Sequence, residues 1–537
     1  MSAQDFSTSV AYFSMEFGID QALKTYSGGL GYLAGSHMRS ANALNQNLIG
    51  VGILWKYGYY DQTRKADNSH EVMFREHMYS FLEDTTVRFQ IEIDKKQVWV
   101  AVYLLPSQVF NTAPIYFLTT DTDGNDAWAR SISYHLYDKE ATIKVAQCML
   151  LGIGGAKFLE INNKEPEVYH FNEAHAVSAA FYLYKKNKNL EELRKKIVFT
   201  THTPEEAGNE KHELNFLLNL GFFGELTLPE VISVGLVEGN VFNHSLAALH
   251  VAKKANAVSK LHGEVSRKMW SKYSKICQIT HITNAQNKAY WVDHALEAAR
   301  LNKDSVTINS RKKALKTILF KEVADQVGKL FDPEVLTIVW ARRFAGYKRP
   351  DLITRDIERF NRILNNSKYP LQIIWAGKPY PFDQGAIDTF NALHNLSYLH
   401  PNMAILTGYE LALSKKLKDG ADIWLNNPVV TREASGTSGM TAAMNGALNL
   451  STFDGWICEF ANESNSFISP ITKSQNDLAR DQADMKNILD KLEFEILPMY
   501  YEQKEKWNKK VLQSMNDIVP FFDSNRMAEE YYQKMYN

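Results

Sequence analysis

Val335-Leu336-Thr337-Ile338-Val339-Trp340-Ala341-Arg342-Arg343 decides the fold: seven apolar or β-branched residues in unbroken series, followed by two cations. A run this short and this apolar reads as a buried strand. Outward from it the same alternation recurs. Pro350–Leu364 has helical spacing, Leu371–Gly377 reads as a strand, Gly385–Leu396 as a helix, Met403–Gly408 as a strand, Glu410–Leu417 as a helix and Ala421–Leu425 as a strand. A βαβα rhythm predicts a parallel, doubly wound sheet. Ligands of such sheets gather at the carboxyl ends of the strands, which is where Arg342 and Arg343 stand.

The first half repeats the pattern with interruptions. Val10–Phe17, Ile49–Trp55, Val168–Asn172 and Lys196–Thr203 read as strands of the same kind, whereas Val87–Ile93 and Val98–Leu105, separated by Asp94-Lys95-Lys96, read as an inserted antiparallel hairpin. The expected fold is α/β, with two doubly wound, Rossmann-like domains facing across a cleft. The lysine-rich stretch Arg311–Lys329, stopped by Phe331-Asp332-Pro333, places the boundary near residue 310. The domains are then residues 1–310 on the acceptor side and 311–514 on the donor side, with 515–537 a helix crossing back to the first domain.

A chain of 537 residues, 45% of them apolar, exceeds what one core sustains and agrees with two domains. Its 60 Lys plus Arg against 61 Asp plus Glu give no general field for a polyanion, so nucleic acid is excluded as a partner class. Cys148, Cys277 and Cys458 form no CxxC pair and read as core thiols of a reducing cytoplasm. No secretory signal is visible in Met1–Thr8, and no uninterrupted apolar run approaches the ~20 residues that span a bilayer. His170, His175 and His202 have spacings that match no standard zinc set, so no metal is expected.

Three segments carry chemistry. Tyr26-Ser27-Gly28-Gly29-Leu30-Gly31-Tyr32 puts glycines where a strand turns into a helix, so that backbone N–H groups can approach an anion; a tight turn without a ligand explains the same residues. Arg342 to Pro350 offers cations suited to a phosphate, or a solvated basic loop. Glu433-Ala434-Ser435-Gly436-Thr437-Ser438-Gly439-Met440 packs a carboxylate, three hydroxyls and two glycines before a helix-forming run, a pattern that suits a phosphate or a sugar at a helix N-terminus. Tyr169–His175 and Thr200–Pro204 each close a strand with histidine, which is either a substrate contact or a satisfied structural residue.

These segments together resemble the α-glucan phosphorylase family in its shorter bacterial and archaeal form, from about Ala11 to Glu459. The residues that carry the likeness are Tyr12–Gly18, Ser27–Gly31, Asn172-Glu173, Thr201–Pro204, Ile282–Asn284, Arg342–Arg349, Trp424–Pro428, Glu433–Met440 and Asp454–Trp456. The resemblance implies a glycosyltransferase B-type fold, retention of anomeric configuration, a carbohydrate acceptor and, because family members are commonly dimers, a homodimer. It implies that Gly28 and Gly29 with Arg343 and Lys348 hold the donor phosphate. Glu433, Ser435, Gly436, Asn284 and Tyr347 would hold the transferred sugar, with the backbone oxygen of His202 near the anomeric carbon. Arg342, Thr437 and Ser438 match positions that cradle the cofactor phosphate. His202, Arg343, Lys348 and Glu433 are thus the implied catalytic group.

The same comparison shows a departure. Family members continue Gly-Met into the lysine that forms an imine with pyridoxal phosphate, and this chain has Thr441 there. A threonine hydroxyl forms no imine, so no covalent cofactor is expected at that position. Ser36 where Asp is usual, Glu205-Glu206, Asn209 and Ala285-Gln286-Asn287 are further departures, read as changes around one cleft or, for the two glutamates, as solvated loop charges. The leading expectation is a retaining hexosyltransferase that uses a nucleotide sugar without pyridoxal phosphate. The alternatives are an α-glucan phosphorylase with noncovalent pyridoxal phosphate, and a non-catalytic glucan-binding or regulatory paralogue.

Overall fold

The structure is a computed structural model that describes residues 5–472, 474 and 476–537. The chain forms two compact units. One comprises the chain up to Tyr60, Phe74–Asn287 and Ser524–Asn537; the other comprises Asp61–Met73 and Lys288–Asp523.

The first unit is built on a nine-stranded sheet. Its strands are β1 (Val10–Phe13), β2 (Leu48–Ile53), β3 (Glu83–Ile93), β4 (Lys96–Leu105), β5 (Ile115–Thr119), β6 (Val168–Asn172), β7 (Ile197–Thr200), β8 (Lys254–Ala257) and β9 (Ile279–His281). The order is β9-β8-β7-β6-β1-β2-β5-β4-β3. Pairing is parallel from β9 to β5 and antiparallel around β4, so the expected hairpin is an extension of the parallel sheet. Asp94 and Lys95 turn it with φ of 52° and 59°, the left-handed pair that matches strand twist in a two-residue loop. Helix α1 (Gly29–Ala43) follows β1 and buries Leu33, Ala34, Met38 and Ala41. A helical stretch, Ala141–Ile161, is long and apolar enough to cross a membrane by length and composition, but 78% of it is buried in this unit, where it serves as core.

The second unit carries a six-stranded parallel sheet: β10 (Leu336–Ala341), β11 (Leu371–Ala376), β12 (Met403–Leu406), β13 (Ile423–Asn426), β14 (Leu448–Ser451) and β15 (Ser466–Ile468), in the order β12-β11-β10-β13-β14-β15. Every residue of β10 and β11 is buried, as their unbroken apolar runs require. Helices Ile357–Leu364 and Gln384–Tyr398 follow them, each started by an aspartate, Asp356 or Asp383, whose side chain accepts a backbone N–H of the first turn. Helices α2 (Leu411–Gly420) and α3 (Thr437–Met444) complete the alternation near the site. Two doubly wound parallel units give the glycosyltransferase B-type class that the sequence suggests.

The division of the chain differs from the expected one in three places. Residue 310 lies inside the helix Ser305–Val327, and the second unit begins at Lys288. The physical reason is the helix His294–Leu301, which is capped by Asp293 and sends Leu296 and Ala299 into the same core as Leu336 and Ile338. A hairpin from the first half, Asp61–Arg64 paired with His70–Met73, also belongs to the second unit, where Gln62 Nε2 donates to Gly377 O at 2.8 Å and Arg64 Nη2 to Ile405 O at 2.6 Å. At the other end, the return to the first unit starts at Ser524 and not at residue 515, because the helix Lys504–Phe522 buries Val511, Met515, Ile518 and Phe522 in the second. The returning helix, Ser524–Tyr531, packs on α1.

Candidate functional site

In the first unit the expected residues stand just beyond the carboxyl ends of β1, β7 and β9. A Cβ on Gly28 or Gly29 would meet nothing within 4 Å, so the backbone is open to a ligand there, whereas a Cβ on Gly31 would lie 2.6 Å from Tyr26 Cβ. The first two positions serve approach and the third serves packing. No side chain caps α1. The turn is instead held by Glu16, whose Oε2 accepts the N–H groups of Ser27 at 2.6 Å and Gly28 at 3.1 Å, while Oε1 accepts the Tyr137 hydroxyl at 2.6 Å. Part of the glycine turn's donor capacity is therefore already used by an internal carboxylate.

His202 is fixed from two sides. Its N–H donates to the Glu173 carboxylate, which also accepts the Thr203 hydroxyl at 3.1 Å, and its Nε2 lies 2.7 Å from Asn172 Oδ1. Because Asn172 Nδ2 donates to Ser14 Oγ, the Asn172 oxygen is the acceptor and His202 carries its proton on Nε2. Burial lowers the imidazole to about 3, so the ring is neutral at ordinary pH. Glu173 holds this arrangement from a left-handed φ of 68°, a conformation that costs on the order of 1–3 kcal/mol in a residue with a side chain. Asn284 is 3% exposed and its Oδ1 has no hydrogen-bond partner.

In the second unit the loop after β10 is tied to the end of β13. Arg349, 1% exposed, donates to Asn427 O at 3.0 Å and Pro428 O at 2.9 Å and pairs with Asp481 and Asp484 at 2.8 Å each. With that anchor in place, Val429 N–H reaches Tyr347 O at 2.8 Å and Lys348 Nζ reaches Glu433 Oε2 at 2.6 Å. Burial pushes the Glu433 carboxyl up, but Lys348 and Arg342, with Arg343, outweigh it and hold the group below its usual value, as a carboxylate. Arg342 is buried, donates through Nη2 to Leu425 O at 3.3 Å, stacks on Trp340 and has no partner for Nε. Arg343 is exposed.

Helix α3 starts at Gly436, whose φ of 97° is left-handed and whose lack of a side chain leaves the first-turn N–H groups uncapped. Ser435 Oγ is buried beside it without a partner. An uncapped helix N-terminus next to a buried guanidinium with a spare donor is an anion cradle. Thr441 is fully buried one turn into α3, and its hydroxyl donates to Ser438 O at 3.0 Å. Ser438 Oγ in turn accepts from Trp424 Nε1 at 3.3 Å.

Several residues without an assigned role in the sequence prove central. Asp454 accepts Glu433 N–H and Gly455 N–H at 2.9 Å each, clipping the glutamate loop in place. Burial, with the Glu433 charge adding to it, raises its carboxyl to about 7. His170 is a core residue, its Nδ1 and Nε2 each 2.7 Å from a hydroxyl, of Tyr536 and Thr200. Ser36 donates to Gln286 Oε1 at 3.1 Å and Asn287 to Ser40 at 3.2 Å, both in the interior, while Gln286 Nε2 is buried without a partner. Glu206 pairs with Lys211 and Lys272 at the surface, which is the solvated-charge reading. Among the described residues no cluster of three or more His, Cys, Asp or Glu is arranged to hold a metal.

A profile of the family described as carbohydrate phosphorylase matches residues 294–491. An uncharacterized protein of Methanocaldococcus jannaschii is 46% identical over 98% of this chain and 99% of its own length. A glycogen phosphorylase of Aquifex aeolicus is 31% identical over 98% of this chain and 86% of its own length. A maltodextrin phosphorylase of Thermococcus litoralis is 30% identical over 98% of this chain and 70% of its own length.

Proposed function

The chain belongs to the carbohydrate phosphorylase family, and on that premise we propose that it is an α-glucan phosphorylase that moves a hexosyl unit, with retention, between a glucan end and phosphate. The observation that supports this reading is the cradle at the start of α3, where the buried Arg342 Nε and Ser435 Oγ lack partners beside an uncapped helix N-terminus. Those groups, with Thr437 and Ser438, suit the phosphate of pyridoxal phosphate. Thr441 does not suit its aldehyde. Pyridoxal phosphate, when bound, supplies a phosphate that exchanges a proton with the substrate phosphate. Lys348 and Arg343 hold the substrate phosphate by charge, the first released from Glu433 as the carboxylate turns to the sugar hydroxyls. In the second unit Tyr347, Ser435 and Gly436 are sugar contacts. In the first unit, taken by itself, Asn284 is a sugar contact and Gly28 and Gly29 offer N–H groups to a phosphate. The His202 backbone oxygen, fixed by Glu173 and Asn172, is the group assigned to the anomeric carbon.

A second reading keeps the nucleotide-sugar donor, and Thr441 favours it: a diphosphate uses the same cradle and needs no imine. Release of glucose 1-phosphate from maltodextrin and phosphate, increased by added pyridoxal phosphate, is the expected result for the first reading. Hexosyl transfer from a nucleotide sugar, with no response to pyridoxal phosphate, replaces it with the second.

A further inference from the structure

We infer that a groove on the first unit is a second binding site, for a small organic anion with an apolar body. The groove has a volume of about 1010 Å³, room for a small-molecule occupant. Of the residues that line it, Arg194 and Lys195 precede β7, Lys253 precedes β8 and Ile276 precedes β9. These strands run parallel, so the groove lies at their amino edge. His202 and Asn284 follow β7 and β9 at the opposite edge, which separates the groove from the site described above.

The lining combines two kinds of surface. Ile232, Leu236 and Ile276 are apolar, and Ile232 is 42% exposed. Against one carboxylate, Glu191, the groove sets four cations: Arg194, Lys195, Lys253 and Lys275. Arg194 pairs with Glu191 at 2.9 Å and Lys195 with Glu192 at 2.6 Å, while Lys253 Nζ donates to Tyr536 O at 2.9 Å. Lys275 is exposed, and among the described residues its Nζ has neither a hydrogen bond nor an ion pair. No carboxylate is thus paired with Lys253 or Lys275, and an excess of positive charge beside apolar wall selects an anion with an apolar part.

The walls are fixed before a ligand arrives. Arg194 Nε donates to His250 O at 2.8 Å, His250 Nε2 lies 3.1 Å from Ser233 O, and Cys277 N–H donates to Leu249 O at 2.9 Å. These bonds join the helices Leu190–Lys196, Leu228–Gly235 and His244–Val251 to the segment before β9, so little ordering is left for binding to supply. Leu236 ends the second of these helices at a left-handed φ of 49°, where glycine or asparagine is the usual residue. A leucine held in that conformation adds apolar wall that a glycine cap would lack, and such strain gathers where ligands bind.

The test titrates the full chain with anilinonaphthalene sulfonate, an aromatic anion whose fluorescence rises in an apolar site, and locates the dye by hydrogen exchange. Saturable binding that slows exchange across Leu228–Gly235 and residues 274–277 is the expected result. Lys275→Glu reverses the open charge and Ile232→Glu puts a carboxylate on the apolar wall. Both positions are exposed, so each variant is expected to keep the parent's melting curve and to weaken the dye about tenfold or more. Phenylnaphthylamine, which has the body without the charge, and inorganic phosphate, which has the charge without the body, are both expected to bind more weakly than the dye. Displacement of the dye by phenyl phosphate or by benzoate supports the inference and tells which anionic group the groove takes; displacement by neither marks an adventitious additive only and overturns it. Binding that both variants leave unchanged, protection confined to other segments, or no binding at all also overturns it.

Discussion

Asp454→Asn is expected to flatten a fall in stability that the parent chain shows as pH rises from about 4 to about 7. The Asp454 carboxyl is 1% exposed, and burial raises it from 3.8 to about 7. Between those values the unfolded chain has released the proton and the folded chain still holds it. The folded state binds more protons, so stability falls with rising pH through the window; this contribution is full below 3.8, is lost on passing about 7 and is level above. The interval of about 3 pH units, at ~1.4 kcal/mol each, corresponds to about 4 kcal/mol. Asparagine removes the titration. It also leaves one of the two N–H groups, of Glu433 or Gly455, without its acceptor, at a cost of about 1–3 kcal/mol that does not vary with pH. The variant is therefore less stable at the acid end of the window, and the gap closes toward the alkaline end. Urea unfolding at both ends, read by tryptophan fluorescence because Trp456 stacks on Phe460 close by, measures the two slopes. Equal pH dependence in parent and variant would refute the assignment, since titrating groups distant from Asp454 cancel in the difference.

Lys348→Met is expected to lower kcat/KM by on the order of 10²-fold, through loss of a cation beside the developing charge, with the fold retained because Arg342 still faces Glu433; steady-state kinetics and circular dichroism check it. Gly28→Ala is expected to leave the melting temperature unchanged while weakening binding of the phosphate-bearing donor by titration calorimetry. Gly35→Ala puts a Cβ 2.0 Å from Gly18 O and is expected to cost about 3 kcal/mol or more of stability without a comparable change in ligand affinity for the protein that remains folded. Tyr536→Phe removes the hydroxyl from His170 Nδ1 and is expected to destabilise the first unit by about 1–3 kcal/mol in denaturant titration.

What the sequence made legible follows the range over which each force acts. The parallel strands were readable because burial on both faces demands unbroken apolar runs, and β10 and β11 satisfy it at every position. The second-unit cations and the Glu433 loop stood out as dense local clusters of polar groups, and the structure brings them together at Lys348 and Glu433. Partners distant in sequence were not. Nothing local in Asp454 announces that it holds the Glu433 N–H, nor does Glu16 reveal that it fills part of the glycine turn. The hairpin Asp61–Met73 joins the second unit through Gln62 and Arg64, whose acceptors lie more than 300 residues away. Lys418 is the sharpest case. On α2 it reads as one polar residue among Lys415, Lys416 and Asp419, and only the packing of α2 against α3 and Trp291 turns a surface-like lysine into a buried amine.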